Sequence, residues 1–124
     1  MTFSITGHCA RTGMFGVAIT TSSICVGSRC PHARASVGAV ATQNVTDPTL
    51  AARVFERLEA GDSAVEAVAA VMDGRAHADY RQLAVVDADG RTGHFTGAYI
   101  LGTNRVVEGE HCVAAGNLLS TREV

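Results

Sequence analysis

Thr2 stands directly behind Met1, at the head of the strand-like run Phe3-Ser4-Ile5-Thr6, and is the residue of this chain best placed to do chemistry. A methionine followed by a small residue is normally trimmed in the cytoplasm, and trimming here creates a chain that begins with threonine. One residue would then carry both the nucleophile and its base. A threonine hydroxyl is too weakly acidic to attack an amide unaided, but its own α-amino group, with a reference pKa of about 7.7–8.0, can accept its proton at neutral pH. This is the N-terminal-threonine variant of triad logic. Other candidates are scattered. Ser22 and Ser23 follow a strand-like run and could meet a substrate from a loop, and Arg34 and Arg81 could each grip a carboxylate through paired hydrogen bonds. His32 and His94 have no readable Ser/Asp or Cys/Asp partners to make them catalytic.

The four cysteines, Cys9, Cys25, Cys30 and Cys112, contain no C-x-x-C pair. Three lie beside histidines, as His8-Cys9, Cys30-Pro31-His32 and His111-Cys112, but the spacing does not match structural zinc sites. They read as reduced, buried small hydrophobes of a cytoplasmic chain, with no metal.

Length and composition narrow the function classes. At 124 residues the chain is about one domain, and 47% hydrophobic content with net charge −2 describes an ordinary globule with one core. All ten basic residues are arginine, spread from Arg11 to Arg122 without clustering. The absence of lysine removes Schiff-base chemistry and a P-loop lysine, and the dispersed charge argues against nucleic acid as a partner. Two Tyr, four Phe and no Trp leave little surface for base stacking. No basic segment leads an apolar core at the N-terminus, and no apolar run approaches a bilayer span, so neither a signal peptide nor a membrane partner is expected.

The elements that must position Thr2 follow from periodicity. Residues 3–9 and 14–21 are strand-like and joined by Arg11-Thr12-Gly13, a hairpin. Residues 22–35 show no clean period and read as an ordered loop. Val37-Gly38-Ala39-Val40-Ala41-Thr42-Gln43 is a third strand, apolar on both faces and therefore central. Asp47-Pro48 starts a helix with Asp47 as N-cap, carrying Leu50, Val54 and Leu58 at four-residue spacing. Ser63-Ala64-Val65-Glu66 is a capping box opening a second helix with Val65, Val68, Ala69 and Met72 on its apolar face. Residues 82–86 and 91–96 form another hairpin around Asp87-Ala88-Asp89-Gly90, residues 111–115 a short strand, and Ser120-Thr121-Arg122-Glu123 a further capping box that starts a helix. Hairpins separated by a helix pair predict α+β layering. Residues 3–9, 14–21 and 37–43 are expected in one largely antiparallel sheet, with both helices together on one face.

The opening Met1-Thr2-Phe3-Ser4-Ile5, the run Val37-Gly38-Ala39-Val40-Ala41-Thr42-Gln43-Asn44 followed by Asp47-Pro48, the pair Arg81-Gln82 and the late Gly116-Asn117-Leu118-Leu119 resemble the domain-of-unknown-function 1028 family in collinear order. That bacterial family is regarded as Ntn-hydrolase-like. The resemblance implies a four-layer αββα sandwich of largely antiparallel sheets, in which active members attack amides with an N-terminal Thr, Ser or Cys. Family members are typically longer, so it also implies that residues 1–124 are the N-terminal portion of an incomplete sandwich. On this mapping Thr2 falls where the nucleophile would be. Gly116, Asn117, Gln43 and Asn44 are expected to face it as oxyanion or substrate-binding groups. Gly116 and Asn117 read equally as turn residues, and Gln43 and Asn44 as capping side chains at a strand end. An arginine that relatives carry near Ser22 and Ser23 is absent, which weakens any claim of anion recognition there.

The expectation is therefore a small-molecule amide hydrolase working through Thr2 without a cofactor. It would associate as a homo-oligomer or with a second chain that completes the fold. The alternative is a non-catalytic Ntn-fold domain that binds a ligand or a partner chain.

Overall fold

Two four-stranded antiparallel sheets lie face to face, and both helices cover the outer side of one of them. The computed structural model describes residues 1–123. Along the chain run β1 (Thr2–Cys9), β2 (Met14–Thr21), β3 (Pro31–Arg34), β4 (Gly38–Asn44), α1 (Thr49–Glu59) and α2 (Ala64–Met72). Then follow β5 (Arg81–Asp87), β6 (Thr92–Thr96), β7 (Thr103–Gly109) and β8 (Cys112–Leu119). The first sheet has the order β2-β1-β8-β7 and the second β3-β4-β5-β6.

This architecture is α+β, as the hairpin and helix-pair order predicts, but the strands are shared out differently. β4 does not join the β1–β2 hairpin. It pairs with β3 and β5, while the second neighbour of β1 is β8 from the far end of the chain. The reason lies in the small residues of the third strand: Ala41 packs with Ala84 and Val86 against Val113 and Ala115, sheet face to sheet face rather than edge to edge.

Strict alternation divides each central strand between two cores. Val40 of β4, with Leu83 and Val85 of β5, points at the helices and packs with Leu50, Val54, Phe55, Val68 and Met72. Each such fully buried aliphatic side chain is worth about 1.5–3 kcal/mol. Ala41, Ala84 and Val86 point the other way, into the space between sheets. A strand covered on both faces needs apolar residues at every position, which is why this stretch has no visible period.

The helices differ from expectation in detail. The Ser63–Glu66 capping box is present, with both reciprocal bonds. The buried face of α2 is Ala64, Ala67, Val68, Val71 and Met72, whereas Val65 and Ala69 are exposed, because Val65 sits one position off the stripe that meets the sheet. Gly93 of β6 lets α2 come close: a Cβ there would lie 2.6 Å from the backbone of Ala64. In α1 the N-cap position is Pro48, while the Asp47 carboxylate accepts from the Thr49 N–H at 3.1 Å and its hydroxyl at 2.6 Å.

Two edge strands are missing from the sequence expectation. Residues 31–34, expected in a loop, form β3, a short edge strand that opens on Pro31, where a missing N–H costs nothing. β7 is the other edge, and its TNRVVEG sequence is too polar to alternate. β8 extends the expected short strand to Leu119. Of the four free cysteines only Cys30 is buried; Cys25 is exposed and Cys9 and Cys112 are intermediate. Residues 120–123 form a bend and a turn rather than a first helical turn, and the body of the expected helix, from Val124 on, lies outside the described residues.

The outer face of the first sheet has no covering element among the described residues. Ile5, Met14 and Val107 are 46%, 68% and 49% exposed there. Phe3, Ile5, Ala18 and Ala114 line a shallow depression of about 460 Å³. No helix among the described residues is long and apolar enough to cross a membrane.

Candidate functional site

The space between the sheets changes character along its length. Each central strand contributes an inward row that is apolar at mid-sheet and polar at one end: Ala39 and Ala41 lead to Gln43, Val86 and Ala84 to Gln82, Val113 and Ala115 to Asn117. In β1 the inward residues Thr6, Ser4 and Thr2 run toward the same end. There Thr2 lies directly opposite Thr21 on one side and Asn117 on the other. Cross-strand neighbours project from the same face, so Thr21, Thr2 and Asn117 form one row. The Thr2 and Thr21 hydroxyls are 2.9 Å apart.

Asn117 joins that row to a buried amide cluster. Gln43, Gln82 and Asn117 are 2%, 0% and 2% exposed, and amides so deep require partners. One backbone carbonyl orients them all. Gly116 O can only accept, so the Gln82 amide turns its Nε2 toward it at 3.2 Å. Gln82 Oε1 therefore faces the other two amides and accepts from Gln43 Nε2 at 2.8 Å and Asn117 Nδ2 at 3.1 Å. Gln43 Oε1 is then left to accept from the Ser4 hydroxyl at 2.7 Å. No amide can flip without breaking this chain, so the floor under Thr2 is stiff. Asn117 keeps a second N–H and its carbonyl oxygen free of Gln82.

A bulge closes this end. Thr103 pairs with Leu119 and Arg105 with Gly116, so Asn104 of β7 faces two residues of β8, Asn117 and Leu118. Leu118 has φ 52 and Asn44, at the end of β4, has φ 71. A left-handed leucine is strained, typically by about 1–3 kcal/mol.

The family model described as "Family of unknown function (DUF1028)" matches residues 2–124. The chain belongs to the DUF1028 family. No curated protein matches its sequence. A crystal structure of protein SPO2555 from Silicibacter pomeroyi, also of DUF1028, is 31% identical with a TM-score of 0.93. The match covers 97% of this chain and 56% of that one, so the chain spans little more than half the length of its solved relative.

Within the DUF1028 fold the sequence-predicted residues fall into three groups. Thr2, Gln43, Gly116 and Asn117 come together at the polar end, although Gln43 points into the amide floor and Gly116 takes part through its carbonyl oxygen; Asn44, expected to face Thr2, instead turns its side chain to Tyr80 O and the Leu101 N–H. Thr42, the residue before Gln43, faces away and donates to Arg29 O at 2.9 Å.

Ser22, Ser23 and Arg81 lie at the same end but outside the row. Ser22 and Ser23 are exposed on the loop after Thr21, and the Ser23 hydroxyl accepts from Arg29 at 2.6 Å. Arg81 donates to Val45 O, and its Nε is buried without a partner among the described residues. The Asp47 carboxyl nearby is held below its ordinary range, chiefly by the Thr49 hydroxyl and with help from Arg81 and Arg75.

Arg34 does not belong to the site. It lies at the opposite end of β3–β4, paired with exposed Glu59 at 2.9 Å and stacked over Phe55. Gln82 is the site residue that candidate selection by residue type passes over. Its signal was available, since Gln82 shares a face with Ala84 and Val86.

Proposed function

We propose that this DUF1028 chain carries the nucleophile of an N-terminal-nucleophile amide hydrolase that acts on a small molecule by acyl transfer through Thr2. The observation that carries the reading is the position of Thr2. It heads a central strand, its hydroxyl lies 2.9 Å from that of Thr21, and it is the cross-strand partner of a buried, oriented asparagine.

With Met1 removed, the Thr2 hydroxyl attacks the substrate carbonyl while its α-amine takes the proton. The Thr21 hydroxyl donates to the Thr2 oxygen, and the second Nδ2 proton of Asn117 is available to the developing oxyanion. A donor of this kind is typically worth about 10²–10³ in rate. The amine then passes the proton to the leaving nitrogen, and water, deprotonated by the same amine, releases the acyl group. No cofactor takes part in this reading, and its setting is the cytoplasm, where Met1 would be trimmed.

The finer fold in this reading is the Ntn-hydrolase-like αββα sandwich, with a further helical layer over the outer face of the first sheet. Support comes from the apolar side chains on that face and from the 56% coverage of the solved relative. The layer comes from more of the same protein, from a second chain or from a homo-oligomer.

Intact mass of the protein isolated from its own host tests the reading. A chain beginning at Thr2 is expected. A retained Met1 displaces the α-amine from Thr2 and favours the second reading, a non-catalytic domain that binds a partner through the exposed apolar face of Ile5, Met14 and Val107.

A further inference from the structure

Leu118 is a large aliphatic residue in a backbone conformation that ordinarily selects glycine. A chain of hydrogen bonds and one close approach hold it there. Its N–H donates to Leu101 O at 2.9 Å, and the Leu101 N–H donates to Asn44 Oδ1 at 3.2 Å. Asn44 is anchored in turn by a 2.7 Å bond from its Nδ2 to Tyr80 O. Gly102 lies so close that a Cβ added to it would stand 3.2 Å from the Leu118 Cα.

The conformation changes the phase of β8. Val113, Ala115 and Asn117 face inward, and unbroken alternation would send Leu119 after them. Leu119 instead lies over outward-facing Gly116, where an added Cβ would stand 2.8 Å from its Cδ2. The inward row therefore stops at Asn117, whose amide rests on Gln82.

We propose that the left-handed backbone of Leu118, locked through Leu101 to Asn44, is a positioning device that holds the Asn117 amide in place beside Thr2. Its catalytic consequence rests on the Thr2 reading above; the placement of Asn117 does not. The Leu118 side chain is 46% exposed and rests against Gly102, so the backbone angle and the side chain have to be tested apart.

A substitution series separates these roles. Leu118→Gly and Leu118→Asn enter the left-handed region readily, whereas Leu118→Val and Leu118→Ile resist it. The readout is solvent exchange of the Asn117 side-chain amide protons by NMR, with the resonances assigned through Asn117→Asp. Slow exchange is expected in wild type and in the Gly and Asn variants. In the Val and Ile variants exchange should be about tenfold faster, on the scale of the left-handed penalty for a branched residue, with protection of β4 and β5 unchanged.

Slow exchange in all five proteins overturns the proposal, and so does fast exchange in the Gly and Asn variants, which would assign the role to the side chain. If the branched variants do not fold, fast exchange in the Gly and Asn variants still overturns the proposal. On any amide that wild type cleaves, Leu118→Val should lower kcat with little change in KM while Leu118→Gly retains kcat. A wild type that cleaves no amide contradicts the Thr2 reading and leaves the exchange result to judge the positioning role.

Discussion

Asn44, the last residue of β4, and Leu118, the last but one of β8, are left-handed residues on opposite sheets joined through a single residue: Leu101 donates its N–H to the Asn44 side chain and accepts from the Leu118 N–H. The polar end of the sandwich is thereby closed by hydrogen bonds, whereas mid-sheet is closed by alanine and valine packing. Between these closures lies the row of Thr21, Thr2 and Asn117.

The amide floor should be a stability element in its own right. Gln82→Leu takes away the Gln82 donor to Gly116 O and removes the acceptor of Gln43 and Asn117, leaving two buried amide N–H groups without it. Each costs about 1–3 kcal/mol when stranded, so a total loss of about 2–5 kcal/mol is expected after local relaxation. Urea denaturation measures it, and a change below about 0.5 kcal/mol, the scale of a neutral surface substitution, would show the network to be dispensable.

The apolar outer face of the first sheet should make residues 1–124 associate when produced alone. Sedimentation is expected to show dimers or larger species that bind an apolar dye, and replacing both Ile5 and Val107 with Thr should reduce both signals. A monomer that binds no dye before substitution would argue that this face needs no cover.

Acid should weaken both helix starts. The folded-state pKa of Glu66 is lowered from 4.5 by hydrogen bonds from Ser63, and that of Asp47 from 3.8 chiefly by the Thr49 hydroxyl. A lowered carboxyl pKa adds stability that is present above the unfolded value and lost as pH falls through the folded one. Stability attributable to these caps should therefore be full at neutral pH and disappear below the ordinary carboxylate range. Ser63→Ala should flatten that acid limb, and an acid limb unchanged in Ser63→Ala would contradict the assignment.

Local features were legible in the sequence: the β1–β2 hairpin, the β5–β6 hairpin, both helices and the Ser63–Glu66 box each rest on contacts within a few residues. The assignment of β4 to the second sheet was not legible, because it depends on pairing between β1 and β8, such as Thr2 with Asn117, across nearly the whole chain. Edge strands β3 and β7 escaped because an edge tolerates Pro31 and polar residues that erase alternation. Arg34 and Arg81 are the same residue type on strands of the same sheet, yet they lie at opposite ends of the sandwich, which strand direction alone decides. Gln82 was readable from the face it shares with Ala84 and Val86, yet of the Arg81-Gln82 pair only the charged residue stood among the candidates.

The central claim, that Thr2 is the nucleophile, is tested most directly by turnover of a panel of small amides. Wild type, Thr2→Ser and Thr2→Ala would be compared side by side, each with its terminus established by mass spectrometry. Wild type lacking Met1 is expected to hydrolyse at least one amide, Thr2→Ser to keep measurable activity through its hydroxyl and α-amine, and Thr2→Ala to fold but show none. Equal turnover by wild type and Thr2→Ala would contradict the account.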